Sequence, residues 1–87
     1  MERNYKAEIE AILFTMGESV DTNKIANALE IKPSEVKKIV KEMQKEMDTP
    51  ERGVKIIELD GAYQMCTKPE MYEALIKVAK QPKRQVL

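Results

Sequence analysis

Pro33 constrains this chain more than any other residue, because it stands between two apolar patterns of helical period. Upstream, Ile25, Ala26 and Leu29 recur at helical spacing, and Asp21 or Thr22 offers the short side-chain oxygen that satisfies the free N–H groups of an opening turn. Downstream, Val36, Ile39, Val40, Met43 and Met47 form one apolar stripe. A proline disfavours helix at the residue before it, Lys32, yet suits the first position of a new helix. The segment 20–48 therefore predicts a short helix, a tight break and a longer helix, which is a helix-turn-helix.

The flanking segments read as support for that pair. Residues 4–16 predict a first helix capped by Asn4 and closed by Gly17, with Tyr5, Ile9, Ile12, Leu13 and Met16 on one face. Phe14 lies about 180° from Tyr5 at roughly 100° per residue, with Ala7 and Ala11 beside it. This helix thus has a second apolar face. Either helix 4 covers Phe14 within the domain, or the Ala7-Ala11-Phe14 face meets another chain, with Tyr72 or Ile76 flanking the contact. A symmetric pair is the expected form, since a two-fold interface uses one surface twice.

After a loop at residues 48–53, two extended runs, Val54 to Leu59 and Ala62 to Thr67, are joined by Asp60-Gly61, a strong signal for a two-residue hairpin turn. Pairing across it places Val54, Ile56, Tyr63 and Met65 on one face, and Lys55, Ile57, Leu59, Gln64 and Cys66 on the other. Thr67 or Lys68 then leads into Pro69 and a fourth helix to about Lys80, whose Met71, Tyr72, Leu75, Ile76, Val78 and Ala79 cover a wide apolar sector. The expected fold is α+β: a winged helix-turn-helix over residues 1–80, with four helices and a two-stranded β-hairpin wing.

Composition narrows the function. The 87 residues carry 15 basic and 15 acidic side chains and no net charge, which argues against a dedicated nucleic-acid binder, whose affinity rests on phosphate neutralisation. No histidine is present to serve acid–base chemistry, and Cys66 alone cannot form an intramolecular disulfide or a zinc site. The glycines form neither a phosphate loop nor a dinucleotide fingerprint. The expectation is a non-enzyme without cofactor or metal, outside the membrane and cytoplasmic.

One pattern keeps a DNA reading open. Lys37, Lys41 and Lys45 follow i, i+4, i+8 on the third helix, and Lys38 joins them opposite the apolar stripe, where the reading helix of a winged helix would contact phosphates. Against this, Glu35, Glu42 and Glu46 adjoin the lysines and suggest a solvated face laced with pairs such as Glu35–Lys38 and Glu42–Lys45. Residues 32–48 hold five lysines against four acidic residues, and no arginine, asparagine or aromatic reader.

The run AEIEAILFTMGESVDTNKIANALEIKPSEVKKIV, followed by GVKIIELDGAYQMCTKPE, resembles the N-terminal winged-helix domain of the segregation and condensation protein B family. The matching features are EAILF before Gly17-Glu18, the LEI-turn-helix unit, and Gly61, Tyr63, Gln64, Thr67, Lys68 and Pro69 around the wing. Ala62 and Cys66 depart from the family pattern. The resemblance implies a tandem of winged-helix domains, with residues 81–87 as the start of a linker toward a second, absent one. It implies a dimerising, non-enzymatic subunit that binds the kleisin, segregation and condensation protein A, and through it the SMC ATPase. Much of the kleisin contact would fall to the second domain, DNA contact would be indirect or non-specific, and the complex would sit at the nucleoid in chromosome condensation and segregation. The alternative is a DNA-binding winged-helix transcriptional regulator using Lys37, Lys38, Lys41 and Lys45.

Overall fold

Asn4 caps the first helix: its side-chain oxygen accepts from the Ala7 N–H at 3.1 Å and starts helix α1, Tyr5–Met16. The computed structural model describes residues 3–80. Gly17 ends α1 in the left-handed conformation, with φ of 67°. Strand β1, Val20–Asp21, follows, and Asp21 doubles as the cap of helix α2, Thr22–Leu29, accepting from the Asn23 N–H at 2.7 Å. Helix α2 closes on Glu30, which adopts φ of 61° without being glycine.

Helix α3, Pro33–Met47, opens as the proline predicts. Glu35 folds back to accept from the Lys32 N–H at 3.0 Å. The reciprocal half of a capping box is missing, because the lysine ammonium has no lone pair to accept with. Strands β2, Val54–Leu59, and β3, Ala62–Thr67, then form the wing. Asp60 and Gly61 at its tip have φ of 51° and 82°, as a primed two-residue turn requires.

The wing is wider than expected. Val20 pairs with Tyr63 and Asp21 with Ala62, so the sheet has three antiparallel strands in the order β1-β3-β2 rather than two. Thr22, just beyond β1, donates both its N–H at 3.0 Å and its hydroxyl at 2.7 Å to the Gly61 carbonyl. These bonds tie the start of the helix-turn-helix to the wing tip. The hairpin register pairs Ile56 with Met65 and Glu58 with Tyr63, which places Ile56 and Tyr63 on the core side as their alternation implies.

The core gathers Ile9 and Leu13 of α1, Ile25, Ala26 and Leu29 of α2, and Val36, Val40, Met43 and Met47 of α3, with Val20, Ile56 and Tyr63 from the sheet. Tyr5, Ile12 and Ile39 pack around it half-buried, whereas Met16, expected on the inner face of α1, is exposed at the helix end. Pro69 opens a 3₁₀ turn, Pro69–Met71, before helix α4, Tyr72–Lys80, so Met71 precedes the fourth helix instead of belonging to it. The expected linker at 81–87 lies outside the described residues.

Candidate protein-interaction surface

Helix α1 has its core face turned toward α2, α3 and β3, which leaves its other apolar face outward. Phe14 on that face is 76% exposed, and Ala7 and Ala11 are exposed with it. Among the described residues no α4 side chain covers the phenyl ring, which contradicts the account in which helix 4 buries Phe14 within one domain. An open groove runs beside the ring, lined by Ala7, Glu10, Ala11, Phe14, Val54 and Met65. The helix supplies its floor of small side chains, and the inner face of the hairpin supplies Val54 and Met65 as a wall. The two wall residues escape sequence reading because the hairpin pattern assigns them to the core side. They sit there, but at the margin, half-buried.

Tyr72 and Ile76 are not among the lining residues of that groove. Helix α4 rests chiefly on the turn that precedes it, and Tyr72, Leu75, Ile76 and Val78 are all exposed. Among the described residues none from α4 lines the groove beside Phe14, so the structure presents two apolar surfaces where the sequence suggested one. A chain with this much uncovered apolar area on two elements has faces suited to a partner.

The lysine face of α3 also differs from expectation. Glu42 and Glu46 do not pair within the helix; both reach Lys6 of α1, whose ammonium lies 3.4 Å from the Glu42 carboxylate and also pairs with Glu46. The Glu46 hydrogen bond and then Glu42 hold that ammonium above its ordinary pKa. Glu35 is engaged at the helix cap. Lys37, Lys38, Lys41 and Lys45 therefore have no ion-pair partner among the described residues, and the first three line one depression together with Ser34, Gln44, Glu58 and Tyr63. Burial, and then the charge of Glu58 across the strand pair, push the Tyr63 phenol above its ordinary value.

At the base of the wing, Lys68 is almost wholly buried at 7% exposure. Its ammonium donates to the Met47 carbonyl at 2.6 Å and the Thr49 carbonyl at 2.8 Å, closing the end of α3 where unsatisfied carbonyls and the helix dipole favour a cation. Lysine next to proline carries no such signal in a sequence; only the resemblance marked the position. Among the described residues no group of three His, Cys, Asp or Glu side chains is placed to hold a metal, and no helix is long and apolar enough to cross a membrane.

A family model described as the segregation and condensation complex subunit ScpB matches residues 7–87. The chain belongs to the ScpB family. Among curated ScpB relatives, the segregation and condensation protein B of Agathobacter rectalis is 61% identical over 85 residues, which cover 97% of this chain and 46% of that protein. The one from Lachnoclostridium phytofermentans is 49% identical, covering 98% and 45%. The chain thus spans about half the length of the curated ScpB proteins it matches. Among solved structures, a dimer of an ScpB N-terminal domain complexed with an ScpA peptide superposes with a TM-score of 0.80 at 35% identity, over 84% of this chain and 91% of that one. ScpB from Mycobacterium tuberculosis, at 20% identity and a TM-score of 0.78, shares the fold over 98% of this chain and 57% of its own.

Proposed function

We propose that this chain acts as a self-associating protein-interaction module within a non-enzymatic accessory subunit of the condensin-like SMC–kleisin complex, serving chromosome condensation and segregation at the nucleoid. The observation that carries this reading is Phe14, exposed on α1 one turn beyond Ala11 and two beyond Ala7, and beside Val54 and Met65. Small side chains in the two turns before an aromatic let a second helix approach closely. A two-fold pair would then set each ring against the other chain's groove. Removing one such ring from water contributes roughly 1.5–3 kcal/mol per chain.

The similar solved structure is a dimer carrying an ScpA peptide, which supports both self-association and kleisin binding by the N-terminal part itself. This reading gives the N-terminal part a share of the kleisin contact beside the expected second domain. Segregation and condensation protein A is the partner this reading names, and the SMC ATPase is reached through it. The test is the solution mass of the chain alone and after mixing with a fragment of its kleisin. A dimer that gains mass on mixing is expected. A monomer that gains none contradicts the proposal.

A further inference from the structure

We propose that the depression between helix α3 and the sheet is a carboxylate-binding site, in which an aspartate or glutamate side chain of a partner protein accepts from the Tyr63 hydroxyl and is balanced by Lys37, Lys38 and Lys41. One face of α3 forms the first wall, where Ser34, Lys37, Lys38, Lys41 and Gln44 follow at helical spacing. Glu58 of β2 and Tyr63 of β3, opposite each other in the hairpin register, form the second. Tyr63 is 4% exposed, yet among the described residues its hydroxyl has no hydrogen-bond partner. Most buried hydroxyls in folded proteins are paired, because an unpaired one forfeits its hydrogen bond to water. The tyrosine thus brings an unused donor to a depression walled by lysines. Burial and the charge of Glu58 hold the phenol above its ordinary pKa, so it keeps its proton and stays a donor through the neutral range.

The surrounding charges select the ligand. Lys37, Lys38 and Lys41 have no ion-pair partner among the described residues, because Glu42 and Glu46 are turned to Lys6 and Glu35 is held at the helix cap. Ser34 places the first turn of α3, the positive end of its dipole, at one end of the depression. Glu58 on the opposing wall repels a second negative charge. A phosphate dianion or a row of nucleic-acid phosphates is disfavoured there, whereas a single carboxylate can sit against the lysine wall. The chain's 15 basic and 15 acidic side chains add no net attraction for a polyanion. Exposed lysines hold an isolated anion weakly, so the carboxylate belongs to a longer protein segment. Lys45 continues the stripe one turn beyond Lys41, where a second carboxylate of that segment would lie. The site is separate from self-association through Phe14, since that residue is on α1 and lines a different groove.

The test follows amide NMR shifts of the chain during separate titrations with a short peptide of glutamate and alanine, its glutamine counterpart, inorganic phosphate and duplex DNA. The glutamate peptide should shift residues 34–41 and Tyr63, and the glutamine peptide should not. Tyr63→Phe should bind the glutamate peptide about tenfold more weakly, as loss of a hydrogen bond to a charged acceptor implies. The same variant should be no less stable in denaturant, since the hydroxyl has no partner in the unbound fold. Lys37→Gln/Lys41→Gln should also bind about tenfold more weakly, and Glu58→Gln should bind severalfold more tightly. No shifts in the depression, equal binding of the glutamine peptide, or tighter binding of phosphate or duplex DNA would each overturn the proposal. So would a Tyr63→Phe variant that binds as the wild type does, or one that loses stability and so shows a purely structural hydroxyl.

Discussion

Tyr63 joins three parts of the structure: it belongs to the core, pairs with Val20 of β1 and with Glu58 of β2, and lines the lysine groove of α3. Its phenol is neutral when protonated, and burial raises its pKa above the ordinary value of 10.0. A raised folded-state pKa means that the native chain holds this proton more tightly than the unfolded chain. Its contribution is therefore complete below pH 10.0 and is lost as the pH rises through the higher folded value. Thermal unfolding followed across the alkaline range should show a decline above that pH. In Tyr63→Phe the part of the decline due to this residue should vanish, and an unchanged profile would deny it the role. Lys68 makes a second residue-level case. Lys68→Met keeps the length of the side chain but strands the Met47 and Thr49 carbonyls, and should cost about 2–3 kcal/mol in denaturant unfolding. A change below 0.5 kcal/mol, the ordinary size for an uninvolved surface site, would show that water replaces the ammonium without loss. Neither role is legible from sequence, because each depends on partners far along the chain.

At the scale of elements, the helices and the hairpin were legible because each has local chemistry that determines it: Asn4 and Asp21 as caps, Gly17 and Gly61 at positive φ, and Pro33 and Pro69 at first turns. Strand β1 was not legible. Two residues have no periodicity, and Val20 and Asp21 become a strand only because β3 offers an edge beside them. The ion pairs of α3 were misread for a related reason. Intrahelical spacing made Glu42–Lys45 plausible, but Lys6 of α1 reaches both Glu42 and Glu46 across the helix interface. This leaves the lysine stripe free of its acidic neighbours, and it raises the DNA question at the level of one element. Residues 32–48 remain nearly balanced in charge, so duplex DNA should bind no more tightly than about 10⁻⁶ M at physiological salt. Replacing Lys37, Lys41 and Lys45 by alanine should leave the fold intact. A sequence-dependent shift of a duplex in a retardation gel, abolished by that triple variant, would favour the regulator alternative.

For the whole molecule, the core closes around α1, α2, α3 and the sheet, while apolar side chains remain uncovered on the outer face of α1 and along α4. The sequence pattern pointed to the first of these surfaces through Phe14 and joined it to Tyr72 and Ile76, which are not among the described residues that line that groove. Helical periodicity shows which side chains share a face, not which faces of separate helices adjoin. Self-association through the Phe14 face is the claim on which the proposed function turns. Sedimentation of the wild-type chain beside Phe14→Asp tests it most directly. A wild-type dimer and a folded Phe14→Asp monomer are expected, because an exposed ring contributes to a contact between chains and not to the core. A wild type that sediments as a monomer at high concentration, or a Phe14→Asp variant that remains a dimer, would contradict it.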